Sequence, residues 1–304
     1  MAISHYIKEI GRGKDGARSL SREQAADLLG QVLDGAVTDL EVGAFCLAMR
    51  IKGETPQEMA GFLDAAHARL QRFPALADSA VCTVVLPSYN GARKLPVLTP
   101  LLALLLAREG LAVLVHGTAT ESTRVLSSDV LQALTIPALT TVAPIEAGSV
   151  AFAPTELLSP GLKRLLDVRR LVGLRNPAHS LVKLMNPCLG KALVVSSYTH
   201  PEYAVSMAQT LALMQANGLL LRGTEGEVVA DARRTPPMDG YVQGQRIELQ
   251  PAQAGTLVSL PKLPKAIDAA STAAYIESIL SGAELVPAPI ARQVEHILHL
   301  TSQL

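Results

Sequence analysis

The chain has 304 residues, 49% hydrophobic and 18% charged, with 27 basic and 27 acidic side chains and no formal net charge. This length and apolar content fit one large domain or two ordinary ones and exclude an extended disordered chain. A neutral total leaves any electrostatic role to local clustering, and apolar runs as short as 100–107 exclude a bilayer span.

In chain order, Ser21 and Gln24 have the spacing of a capping box, and Ala25, Leu28, Leu29 and Val32 follow at helical intervals until Gly35. A second helix is predicted from Thr38-Asp39, with Val42, Phe45, Cys46 and Met49 on one face and Gly53 at its end. Thr55-Pro56-Gln57-Glu58 opens a third, with Pro at its first position. After Pro74 the pattern changes. Cys82–Leu86 reads as a buried strand, Leu98–Glu109 as a helix closed by Gly110, and Leu111–Val115 as the next strand, the spacing of a parallel βαβ unit. Residues 160–186 are helical and basic and interrupt this alternation, so they are assigned back to the N-terminal helices. Ala192–Val195 is a strand, Pro201–Gln215 a helix and Leu219–Leu221 a strand; the tail holds a hairpin around Gly244 and helices at Ser271–Leu280 and Pro289–Leu300. The expected fold class is α/β: a small helical N-terminal domain (1–72 with 158–188) plus a larger α/β domain (78–157 with 189–304) with a mainly parallel central sheet.

Cys46, Cys82 and Cys188 have no metal-ligand spacing and are read as buried small hydrophobes. The N-terminus lacks the apolar core of a secretion signal, so a cytoplasmic location is expected.

Ligands of open α/β sheets bind in the loops that follow parallel strands. In Pro87–Lys94, Asn90-Gly91 signals a turn, and Arg93 and Lys94 stand beside Tyr89, a candidate stacking platform; the alternative is a solvated turn. In His116–Arg124, Gly117 allows close backbone approach to a ligand, Arg124 is a candidate phosphate contact, and His116 reads either as a base or as a structural histidine. In Arg222–Val229, Glu225 and Glu227 are weak candidates for Mg²⁺ and fit a capped turn better. Charge adds a fourth feature. From 163 to 191, Lys163, Arg164, Arg169, Arg170, Arg175, Lys183 and Lys191 face one acid, Asp167, a local charge of +6; Lys8, Arg12, Lys14, Arg18 and Arg22 face Glu9 and Asp15, giving +3. Such clustering suits a polyanion, since phosphate neutralisation dominates non-specific nucleic-acid affinity.

Asp34–Pro56 resembles the N-terminal helices of anthranilate phosphoribosyltransferases and the related pyrimidine nucleoside phosphorylases; Gly173–Pro187 looks like their central helix and Gly223–Gly226 like their late acidic loop. Ile7–Lys14, Pro87–Lys94, Arg175–Ser180 and His200–Tyr203 resemble more closely the YbiB-like branch, described as transferase-like DNA-binding proteins. The resemblance implies a class II phosphoribosyltransferase-like fold, a homodimer formed through the helical domain, and a basic groove that accepts nucleic acid without strong sequence preference. It also marks losses. The family's Gly-Thr-Gly-Gly-Asp pyrophosphate loop corresponds to Ser88–Ala92, its Lys-His-Gly-Asn loop to Val115–Thr118, and its metal-binding Asp-Glu pair falls on or next to Val228-Val229.

The leading expectation is therefore non-sequence-specific binding of DNA or RNA by a homodimer, with no cofactor and no membrane, through Lys8, Arg12, Lys14, Tyr89, Asn90, Arg93, Lys94, Arg124, Arg169, Arg170, Arg175 and Lys183. The alternative is a glycosyl or phosphoribosyl transferase of altered substrate. In it His116 lies near the ribosyl donor, Arg175 orients an acidic acceptor, and Glu225 or Glu227 replaces the lost Mg²⁺ ligands.

Overall fold

The computed structural model describes residues 3–13, 15–75, 81–121, 123–255 and 259–304; Lys14 lies outside the described residues. Four helices lead: α1 (Ser4–Ile10), α2 (Arg22–Leu33), α3 (Asp39–Lys52) and α4 (Pro56–His67). Three of them open with a reciprocal capping box, Ser21 with Gln24, Thr38 with Glu41 and Thr55 with Glu58. Each satisfies two otherwise orphaned backbone donors, and losing one such cap costs about 1 kcal/mol. Glu58 does more than cap: buried, it also accepts from the Leu20 backbone at 2.9 Å and from Lys52 Nζ at 2.6 Å, tying the start of α4 to the segment before α2 and to the end of α3.

The chain then enters a seven-stranded sheet of order β3-β2-β1-β4-β5-β6-β7. Its strands are β1 (Thr83–Ser88), β2 (Ala112–Gly117), β3 (Val150–Pro154), β4 (Ala192–Tyr198), β5 (Gly218–Arg222), β6 (Met238–Val242) and β7 (Gln245–Gln250). The first five run parallel to one another; β6 and β7 form the hairpin expected around Gly244, β6 pairing antiparallel with both β5 and β7. Six of the seven residues of β4 and all of β1 and β2 are buried, which is why they read as continuous apolar runs. β1 runs on through Pro87, past Val85, its last residue paired with β4, so the missing proline N–H breaks no rung on that side. Helices α5 (Thr99–Arg108), α6 (Ser127–Ala133), α11 (Ala269–Leu280) and α12 (Ala288–Thr301) cover one face, where Val84, Leu86, Val113, Val115, Leu193 and Val195 point. The alternate residues Val85, Leu114 and Val194 point to the other face, toward α10 (Pro201–Leu213) and the helical unit.

Between β3 and β4 the chain returns to the first four helices through α7 (Thr155–Leu158), α8 (Pro160–Val172) and α9 (Ala178–Leu181). α8 packs on α2 and α3, and α9 on α4. The crossings between the two units run side by side: Gln71 N donates to Leu158 O at 2.9 Å and Phe73 N to Pro187 O at 2.8 Å. β3 and α6 were not expected. β3 is a five-residue edge strand ending in proline, and α6 is only two turns long, so neither leaves a run long enough to show a period. Among the described residues no helix is long and apolar enough to cross a membrane.

Candidate functional site

The strand order reverses at β1, whose neighbours are β2 on one side and β4 on the other. Loops at the carboxyl ends of strands flanking such a point form the usual ligand crevice. Here the loop after β1 presents a row of backbone amides, and the row is filled from within the chain. Glu227, 2% exposed, accepts from Asn90 N and Gly91 N through Oε1, both at 2.8 Å. Its Oε2 takes the Ser88 hydroxyl at 2.5 Å, that of Thr99 at 2.9 Å and that of Ser127 at 3.5 Å. Thr99 opens α5, so the carboxylate also faces a helix N-terminus, where negative charge is favoured. Glu225 continues the pattern. Its Oε2 accepts from Arg93 N, Lys94 N and Leu95 N at 3.0, 3.1 and 3.2 Å. Burial opposes ionisation of Glu225, but these three donors outweigh it and hold the carboxyl below its usual range. Gly226, between the two acids, has φ +89°, and a Cβ there would lie 1.7 Å from Asn90 Nδ2; only glycine lets the two loops close on each other.

Several expectations are corrected. Tyr89 is 3% exposed and is no stacking platform: its hydroxyl lies 2.8 Å from His116 Nδ1 and accepts from Thr155 Oγ1 at 3.1 Å. His116 is wholly buried, and burial pushes its pKa down to about 3, so it is a neutral structural group rather than a base near a ligand. Gly117 makes room for protein, not ligand, since a Cβ would sit 2.0 Å from Ser88 O. Asn90 is buried too, its amide given to Glu225 O at 3.0 Å. The Mg²⁺ alternative does not fit. Val228 and Val229 are buried hydrocarbon, and the Glu225 and Glu227 carboxylates are committed to the loop amides.

The cations divide into groups. Arg93 and Lys94 are exposed, with no side-chain hydrogen bond or ion pair among the described residues. Arg124 lies against the same loop, donating to Asn90 O at 3.2 Å and to Glu121 Oε2 at 2.8 Å; Glu121 also binds Arg169, from α8. Arg170 donates to Ala119 O at 2.8 Å. The last turn of α8 is thus anchored on the loop after β2, and one acid serves two arginines. Arg175 has no such partner among the described residues. Burial and then the charge of Arg169 push its pKa down from its ordinary value. Lys183 reaches under the acidic loop to Gly226 O at 2.9 Å, and burial lowers it to about 8 against the pull of Glu227. Lys8 and Arg12 lie apart: Lys8 is exposed on α1, and Arg12 is paired with Glu9 at 2.8 Å. Sequence reading assigned no role to Glu121, Ser88, Thr99 or Ser127, although Ser88 lies in the Pro87–Lys94 segment and Glu121 in the His116–Arg124 loop.

Beside this loop a cleft of about 470 Å³ opens between the helical unit and the sheet, lined by Arg50, Glu54, Arg175, His179, Lys183 and Tyr203 among others. Burial, then Arg175, pushes His179 down to about 4. A half-buried arginine without a partner in such a cleft is a ready contact for a small anion.

A helical bundle returned to by α8 and α9 is joined to a mostly parallel sheet with its crevice at the switch point, a two-part α/β architecture. Residues 4–69 match the family model described as glycosyl transferase family, helical bundle domain. Over its whole length the chain is 39% identical to the protein YbiB of Escherichia coli (strain K12), spanning 95% of it. It is 29% identical to the anthranilate phosphoribosyltransferase of Anaeromyxobacter dehalogenans (strain 2CP-C), over 92% of this chain and 83% of that one. The chain belongs to the anthranilate phosphoribosyltransferase-like family. Among solved structures, the anthranilate phosphoribosyltransferase of Thermus thermophilus superposes with a TM-score of 0.66 at 22% identity, covering 95% of this chain and 85% of that one. The Saccharomyces cerevisiae enzyme in complex with PRPP and Mg gives 0.69 at 15%, covering 99% and 88%; at these identities the likeness is one of fold.

Proposed function

We propose that this chain binds DNA or RNA without sequence preference and does not carry out phosphoribosyl transfer to anthranilate. One observation carries the reading: five backbone N–H groups at the switch point, a natural anion cradle, are taken by Glu227 and Glu225, while Arg93 and Lys94 on the same loop keep their side chains free and exposed. A diphosphate finds those five backbone donors already taken, whereas a polynucleotide backbone passing over the loop needs only exposed cations. Arg175 extends this set into the cleft; Arg124, Arg169 and Arg170 shape the rim, partly neutralised by Glu121 and Asp167, and Lys8 on α1 stands apart from them.

The chain is expected to act as a homodimer. Leu40, Leu47 and Ile51 on α3 are 84%, 47% and 61% exposed and recur along one helix face, a pattern that favours burial against a second copy. The expected setting is cytoplasmic, with no cofactor. The experiment is fluorescence anisotropy with oligonucleotides of unrelated sequence: Arg93→Glu with Lys94→Glu weakens binding to all of them alike, and an unchanged affinity refutes the reading.

A second reading is favoured by the cleft itself. Its volume and unpaired Arg175 suit a small acidic substrate, as in a transferase of altered specificity. Calorimetry with phosphoribosyl pyrophosphate and Mg²⁺ separates the two: saturable Mg²⁺-dependent binding with pyrophosphate release supports the transferase, and its absence supports the polyanion binder.

A further inference from the structure

A second cavity, of about 280 Å³, lies away from the switch point, where the end of α4 and the following linker meet the starts of β4 and β5. Its walls divide by chemistry. Leu63, Leu184, Val194, Leu211 and Met214 form an apolar side. The polar lining is Arg72, Lys191, His67, Asn186 and Asn217 among others, and no acidic side chain lines the cavity among the described residues. Asp64, one turn before His67 on α4, is held by Arg22 at 2.6 and 2.8 Å.

The polar groups are not balanced between donors and acceptors. Asn186 Oδ1 already accepts from Cys188 N at 3.0 Å, Asn217 Oδ1 from Gln243 N at 2.8 Å, and His67 Nε2 from Asn186 N at 3.1 Å. That bond fixes the His67 tautomer, leaving its proton on Nδ1, and burial keeps the ring neutral with a pKa of about 4. The side-chain N–H groups of Asn186, Asn217 and Lys191 have no partner among the described residues; Arg72 spends Nη2 on Cys188 O at 2.7 Å, and its buried Nε has none. Among the described lining side chains, Gln215 and the Thr210 hydroxyl are oxygen acceptors that accept no internal bond. A cavity with a buried unpaired arginine N–H, further unpartnered donors and two cations without a lining acid among the described residues suits a ligand rich in acceptors, an anion.

We infer that this cavity is a second ligand site, for a small organic anion that presents a carboxylate to Arg72 and Lys191 and a compact apolar body to the leucine and methionine wall. At roughly 30 Å³ per water-sized volume, it holds on the order of ten non-hydrogen atoms. Because its walls come from both the helical unit and the sheet, the occupant braces the junction between them.

The test is calorimetric titration with benzoate, carried out in an Arg175→Gln background so that the unpaired arginine of the cleft at the switch point is removed. Saturable binding at millimolar concentration is expected, weakened about tenfold or more by Lys191→Glu and likewise by Arg72→Gln. Lys191 is exposed, so that variant keeps the fold even if the Arg72 one does not. Inorganic phosphate, lacking the apolar body, binds more weakly. Absence of benzoate binding, affinity unchanged in Lys191→Glu, or phosphate binding as tight as benzoate overturns the assignment.

Discussion

The side chain of Glu227 accepts the backbone N–H of Gly91 at 2.8 Å, although the two residues are 136 positions apart. With its four further partners this carboxylate serves as the loop's own anion, replacing any that a ligand could bring. Glu227→Ala leaves two buried amides and three hydroxyls without it, and unfolding by urea should show a loss of about 3 kcal/mol or more. Inorganic pyrophosphate should then raise the variant's melting temperature and leave that of the parent unchanged.

His67, His116 and His179 are held neutral by burial, with pKa values of about 4, 3 and 4. In the unfolded chain each titrates near 6.5. Between about pH 6.5 and 4 the unfolded state therefore binds more protons, so stability is fully present above about 6.5 and falls as the pH drops through this window. Urea midpoints at pH 7.5, 6 and 5 should decline, by up to about 1.4 kcal/mol per pH unit for each histidine. His67→Gln should flatten the decline, though it also lowers stability at pH 7.5.

Leu47→Lys places a charge in the middle of the exposed α3 stripe. Sedimentation velocity should convert a dimer to a monomer of unchanged circular dichroism. A monomeric parent, or a dimer that persists in the variant, contradicts the α3 interface.

Cations of the rim should separate by partner. Arg93→Glu with Lys94→Glu, both exposed, should change stability by no more than about 0.5 kcal/mol while weakening oligonucleotide binding. Arg169→Ala releases Glu121 from a partly buried pair and should cost about 1–3 kcal/mol by urea unfolding.

Local rules made most of the fold legible. The capping residues Ser21 and Thr55-Pro56, the buried runs of β1, β2, β4 and β5, and the +6 segment that returns to the helices all announce themselves within a few neighbouring residues. The site was less legible because its contacts are long-range. Asn90-Gly91-Ala92-Arg93-Lys94 reads as a solvated turn until Glu225 and Glu227 arrive from more than 130 residues away. Tyr89 reads as a surface aromatic until His116 and Thr155 enclose it. No periodicity marks an acid that serves a distant loop.

The most direct test of the central claim is displacement of a labelled duplex, measured at 50 and 200 mM salt with Mg²⁺–phosphoribosyl pyrophosphate as competitor, conditions over which several phosphate contacts lose roughly 10³-fold or more in affinity. A steep loss of affinity with salt, and no displacement by the competitor beyond its ionic strength, is the predicted result. Salt-insensitive or absent binding, or stoichiometric Mg²⁺-dependent displacement, contradicts it.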